Sequence, residues 1–190
     1  MRGRRESLQR HSGCDVNNSD GRGSGWFEHE RKFLVEDLGI LAGSTGYLVE
    51  QGYLWQGDGY EIRVRTAVSD APSAAGEEHR VALLTLKGPP DDRTRMEREL
   101  DIPFEHAMRL LEMAPNRLRK TRYEPVISSG EVWAVDVFHD DNEGLVLAEL
   151  EGSLKAVGDA GQPWWCGSEV TNDPRYSNAA LAAAPWTTWN

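Results

Sequence analysis

The chain reads as a mainly β, α+β domain: an eight-stranded antiparallel β-barrel with a few peripheral helices. Three observations predict it. Eight runs of extended character follow one another from Trp26. Turn residues of hairpin type separate several of them. Within the runs, charged residues recur at steps of two, the spacing at which side chains share one face of a strand.

The runs are WFEHERKFLV, GYLVEQGYLWQ, GYEIRVRTAV, HRVALLTLKG, TRMERELDIP, LRKTRYEPVI, EVWAVDVFH and GLVLAELEG. Gly57-Asp58-Gly59, Ser128-Ser129-Gly130 and the stretch Asp140 to Gly144 are hairpin signals. Short links of this kind make consecutive strands antiparallel neighbours. Asp70 to Glu78 and Gly88-Pro89-Pro90-Asp91-Asp92 read as exposed loops. Two helices interrupt the pattern. In the first, 104–113, Phe104, Ala107, Met108, Leu111 and Leu110 form a stripe. The second is the alanine-rich stretch 178–184, ending before Pro185. Residues 152–161 show no period and read as loop.

Length and composition set the outer bounds. The 190 residues suffice for one domain with a real core, and 39% hydrophobic content is ordinary for a soluble protein. Residues 1–25, rich in Gly, Ser, Arg and Asn, are expected to be a disordered tail. The domain is expected to span 26–184, and 185–190 to be a short C-terminal tail. No stretch approaches the roughly 18 apolar residues of a membrane span, and the basic start lacks a signal-peptide core. Cys14 and Cys166 offer neither a disulfide framework nor a zinc spacing. The expected setting is therefore the cytoplasm, with no membrane partner. A net charge of −10 argues against general nucleic-acid binding, but the basic residues are bunched, so an anionic small molecule remains a fitting ligand. Monomer and homodimer are both compatible with the sequence.

The alternating charges carry the functional signal. Glu28, Glu30 and Lys32 share one face of the first run. Arg63 and Arg65 do so in the third, Arg95, Glu97 and Glu99 in the fifth, Lys120 and Arg122 in the sixth, and Glu149 and Glu151 in the eighth. Taken singly, each pair reads most simply as the solvated face of a half-buried sheet. Taken together, they are almost wholly Glu, Arg and Lys, with Arg favoured, and Arg suits bidentate phosphate recognition. An eight-stranded barrel has room for one small ligand. If these faces point inward, Lys32, Arg63, Arg65, Lys87, Arg95, Lys120 and Arg122 line the lumen beside the carboxylates. The cations suit a polyphosphate, and the carboxylates suit Mg²⁺ or Mn²⁺.

These pieces resemble the CYTH domain, the triphosphate tunnel metalloenzymes. The matching segments are EHERK at Glu28-x-Glu30-x-Lys32, RVR at Arg63 and Arg65, TLKG at Lys87, RMERE from Arg95 to Glu99, RKTR with Lys120 and Arg122, VDVF at Asp136, AELE at Glu149 and Glu151, and SEVTNDPRYSN from Ser168 to Asn178. The resemblance covers about residues 26–184, and the ending looks most like the short bacterial members. It implies an eight-stranded triphosphate tunnel and a small-molecule triphosphate bound by Lys and Arg. It also implies metal held by Glu28, Glu30, Glu149 and Glu151.

On this reading Glu28, Glu30, Lys32, Glu97 and Glu99 belong to the catalytic set. Glu97 and Glu99 either assist metal or water, or hold the cations in place. Asp136, Glu169 and Arg175 are expected to orient other groups. The reaction implied is phosphoanhydride hydrolysis, tripolyphosphatase-like. An adenylate cyclase and a non-enzymatic polyphosphate-binding module are the alternatives. Trp55, Trp133, Trp164 and Trp165 read as core or rim packing, and His29, His79, His106 and His139 lack metal spacing.

Overall fold

The computed structural model describes residues 29–70, 79–91, 94–125, 127, 133–152 and 154–189. The proposed tail 1–25, Glu28, the 128–130 turn and most of the 70–78 loop lie outside them. Among the described residues nine strands form one antiparallel sheet: β1 (His29–Val35), β2 (Gly46–Gly57), β3 (Tyr60–Ser69), β4 (Arg80–Asp91), β5 (Thr94–Asp101), β6 (Asn116–Tyr123), β7 (Trp133–Phe138), β8 (Val146–Gly152) and β9 (Cys166–Glu169). Their order is β5-β4-β3-β2-β6-β7-β8-β1-β9. The eight predicted runs are β1 to β8. The ninth strand extends the sheet beyond β1, and among the described residues no hydrogen-bonded ladder joins the edge strands β5 and β9.

Local chemistry accounts for the hairpins. Asp58 and Gly59, with φ of 50° and 81°, turn β2 into β3 as a two-residue loop closed by the Gly57–Tyr60 pair. The Gly88–Asp91 stretch is strand, not loop: β4 continues through a register shift between Lys87 and Pro90 before meeting β5. Proline is tolerated there because a bulge leaves backbone positions unpaired.

Helix α1 (Phe104–Met113) falls where the periodicity placed it. It buries Ala107 and Leu111 against Val64 and Ala82 on the outer face of β3 and β4. Met108, read into the same stripe, stays 38% exposed. The close approach of the α1 end explains Gly52: a Cβ there would lie 2.6 Å from that of Ala114. A second outer cluster joins Phe33, Trp133, Val135, Ala148, Leu150 and Trp165. It is completed by Val157 and Ala160, carried at the end of a short helix α2 (Leu154–Asp159) in the stretch expected to be loop. Of the four tryptophans read as packing, Trp133 and Trp165 are core, whereas Trp55 and Trp164 are 47% and 77% exposed.

The third cluster closes one end of the inner face. Tyr53, Leu118, Phe138 and Leu147, from β2, β6, β7 and β8, pack with Tyr176 and with Leu181 and Ala182 of helix α3 (Asn178–Ala183). Helix α3 lies against β6 and β2, and the same buried cluster reaches Phe138 and Leu147 on β7 and β8. The last residues, expected to be a tail, also pack. A 3-10 turn at Trp186–Thr188 and Trp189 bring two indoles against Tyr176, at centroid distances of 6.1 and 5.1 Å.

Candidate active site

Residues directly opposite across an antiparallel ladder share a face, so the strand register assigns the charges. Glu30 faces Glu151, Lys32 faces Glu149, Arg122 faces Asp136, Lys87 faces Glu97, and Arg63 lies between Tyr53 and Thr85. These residues occupy the inner face, opposite the side packed with Phe33, Val64 and Trp133. The sheet places Glu30, Lys32, Arg63, Arg65, Lys87, Glu97, Glu99, Lys120, Arg122, Asp136, Glu149 and Glu151 on one concave surface. The side chains of Glu28 and Arg95 lie outside the described residues.

Two ion-pair groups fill that surface. On the β1, β6, β7 and β8 side, Asp136 is fully buried. It accepts from Arg122 Nε and Nη2 at 2.8 and 2.6 Å and also from Lys120 Nζ. Glu149, 5% exposed, accepts from the same Arg122 at 2.7 Å and lies 3.1 Å from Lys32. On the β3, β4 and β5 side, Glu99 lies 3.4 and 3.6 Å from Arg63 and Arg65 and accepts from Thr85 at 3.1 Å. Glu97 lies 3.1 Å from Lys87. The Nε of Arg63 is buried with no hydrogen-bond partner among the described residues.

Burial and charge pull against each other here. Burial opposes ionisation of Asp136, yet Arg122 and Lys120 outweigh it and hold the carboxyl well below the usual carboxylate range. Glu149 is likewise held low, because Arg122, Lys120 and Lys32 overcome burial and the Asp136 charge. Lys120 moves the other way: burial and Arg122 push it below an ordinary lysine, against the pull of Asp136. Arg65 is also lowered, first by burial and then by Arg63.

Three of the four carboxylates expected to hold metal are among the described residues. Glu30 and Glu151 stand opposite one another, and Glu149 is the next inner position on β8, all three offering the hard oxygens that Mg²⁺ and Mn²⁺ prefer. Among the described residues no three His, Cys, Asp or Glu side chains gather closely enough to hold an ion unaided. Phosphate oxygens and water are the usual remaining ligands.

Two expected orienting residues stand elsewhere. Glu169 on β9 binds Arg31 at 2.8 and 3.1 Å, on the outer side of β1. Arg175 is bonded to Asp173 and stacks over Trp189 at 4.9 Å. Conversely, the charge pattern did not single out Thr85, Gln51 or Asn178. Thr85 had a signal, since it lies two residues before Lys87 on an otherwise apolar run.

No family model matches the chain. Over 162 residues it is 35% identical to an inorganic triphosphatase of Acetivibrio thermocellus, covering 84% of this chain and 95% of that protein. Over 163 residues it is 34% identical to an inorganic triphosphatase of Nitrosomonas europaea, covering 82% and 96%. The crystal structure of the inorganic triphosphatase NE1496 matches with a TM-score of 0.59 at 31% identity, over 82% of this chain and 93% of that one. With relatives matched at this identity over nearly their whole length, and with most of the expected charged residues on one face of an antiparallel sheet, the chain belongs to the inorganic triphosphatases of the CYTH, or triphosphate tunnel, family.

Proposed function

We propose that this protein is a divalent-metal-dependent hydrolase that cleaves a phosphoanhydride bond of inorganic triphosphate. The observation that carries the reading is the convergence of Lys32, Arg63, Arg65, Lys87, Lys120 and Arg122 on a concave face they share with Glu30, Glu149 and Glu151. Phosphoryl transfer needs mainly positioning and charge stabilisation, which preorganised cations supply. Glu30, Glu149 and Glu151, together with Glu28, would hold a Mg²⁺ or Mn²⁺ ion, which would supply further charge neutralisation and lower the pKa of a bound water.

The protein's own groups divide the remaining work. The buried, unpartnered Nε–H of Arg63 is a donor for which a phosphate oxygen is a fitting acceptor. Lys32 and Arg122 occupy Glu149, and phosphate oxygens arriving at those two cations release its carboxylate. Glu97 and Glu99 pair with Arg63, Arg65 and Lys87, which fixes those cations before substrate arrives. Asp136 orients Lys120 and Arg122 from below. No helix among the described residues is long and apolar enough to cross a membrane. The thiol of Cys166 is free and buried, pushed up to about 12 by burial.

The test is phosphate release by the purified protein with Mg²⁺ or Mn²⁺, comparing tripolyphosphate, ATP, thiamine triphosphate and GTP. Tripolyphosphate is expected to be the fastest. Cyclic AMP formed from ATP without phosphate release would overturn the assignment.

A further inference from the structure

We propose that the C-terminal helix α3 is a positioning element for Lys120, with Asn178 setting the direction of its ammonium group; this rests on the triphosphatase reading above. Lys120 is 3% exposed. Its ammonium has three N–H donors and no acceptor. Asp136 on β7 takes one, and Oδ1 of Asn178, the first residue of α3, lies 3.3 Å away for a second. The ring of Phe138 lies 5.5 Å from the nitrogen. Two acceptors from separate elements fix rotation about the Cε–Nζ bond, and the third N–H remains for a phosphate oxygen.

Asn178 can do this because α3 is itself held from several sides. The Ser177 hydroxyl caps its first turn by accepting from Ala180 N at 3.2 Å, and Leu181 is fully buried. Asn142, 2% exposed, donates to Leu181 O at 3.2 Å and accepts from Trp186 N at 2.7 Å, locking the far end of α3 to the turn after β7. The helix that closes one end of the inner face therefore also aims one of its cations. A residue serving only to end the sheet would need no polar atom at Lys120. Asn178 acts through Lys120 and is not itself a group that touches substrate.

A double-mutant cycle tests this. Asn178→Leu removes the acceptor at similar volume, and Lys120→Met removes the ammonium but keeps the stem. Calorimetry with tripolyphosphate should show Asn178→Leu weakening binding on the order of tenfold in the wild-type background. In the Lys120→Met background it should change binding less than about twofold, and the turnover number at saturation should stay within about twofold. The second readout needs no ligand: the ¹⁵N resonance of the Lys120 ammonium, held by two acceptors, should broaden or shift in Asn178→Leu. Equal losses in both backgrounds, or an unmoved resonance, would overturn the proposal. If the wild type releases no phosphate from any triphosphate, the functional reading fails while the resonance still decides the role of Asn178. Should Asn178→Leu not fold, Asn178→Ser, whose side chain stops short of Nζ, carries the same comparison.

Discussion

Replacing Asp136 by Asn removes a fully buried carboxylate that two cations share, and the consequences can be worked from its contacts. Arg122 binds it through two nitrogens, at 2.8 and 2.6 Å, and Lys120 through a third. Asn keeps the shape and one acceptor but turns an NH₂ group toward donors and leaves Arg122 dependent on Glu149. Breaking a buried pair by removing one partner costs about 3–5 kcal/mol. The retained oxygen places this case at the lower end, roughly 3 kcal/mol, which for a chain of this size is about 6–12 °C in Tm. Thermal denaturation followed by circular dichroism at pH 7 measures it. The pH dependence has a defined sign. Asp136 is held below the usual range by Arg122 and Lys120 against its burial, so its stabilisation is complete above the unfolded-chain value of about 4 and drains away below it. The gap between wild type and variant should therefore be full at neutral pH and narrow as the solution is acidified below about pH 4. A Tm change under about 2 °C, or a gap that widens in acid, would refute the shared-carboxylate description.

Arg65→Ala should weaken tripolyphosphate binding by roughly tenfold to a hundredfold, the worth of one charge-assisted contact. Unchanged affinity in calorimetry would mean that β3 presents its other face inward. Glu149→Gln should lower turnover by at least about a hundredfold through loss of a hard anionic ligand, while tripolyphosphate binding measured in the presence of a chelator is not weakened. Asn142→Ala removes both backbone contacts that pin α3 and should cost roughly 2 kcal/mol, or about 4–8 °C in Tm; a variant that melts with the wild type would show that α3 is held by its apolar contacts alone.

The strands were legible because period-two alternation and turn chemistry are local. Gly57-Asp58-Gly59 announces a hairpin whose geometry follows directly from Asp58 and Gly59 at positive φ. The same alternation gathered Lys32, Arg63, Arg122 and Glu149 before any pairing was known. What local pattern could not supply was the order of the strands, in which β1 pairs with β8 and β9, and β2 with β6. Such long-range ladders are set by the whole sheet. β9 has four residues, too few to show a period, and it is a strand because β1 offers it an edge. In the stretch holding α2, Val157 and Ala160 are the described residues that join the core, and six helical residues are too few to show a period. Trp186 and Trp189 were a missed signal: two indoles within four residues carry more apolar area than a solvated tail would leave exposed, and Tyr176 receives both. Glu169 shares the charge of the inner carboxylates, but its strand pairs with the far side of β1, and Arg31 claims it.

The pairing of the inner charges links these effects. Each of Lys32, Arg63, Arg65, Lys87, Lys120 and Arg122 lies within 4.0 Å of a carboxylate. On the proposed function a triphosphate would not simply add to six waiting cations; it would exchange with carboxylates that already hold them. Exchange is favourable when the displaced carboxylates gain another partner, and divalent metal is the partner their hard oxygens suit. Glu149 stands where this matters most, since Lys32 and Arg122 both hold it. Removing its charge frees two cations for phosphate at the same time as it removes a proposed metal ligand. Affinity and turnover should consequently move in opposite directions in Glu149→Gln, a better anion trap and a poorer enzyme. A surface whose cations acted independently of the carboxylates would leave the affinity where it was.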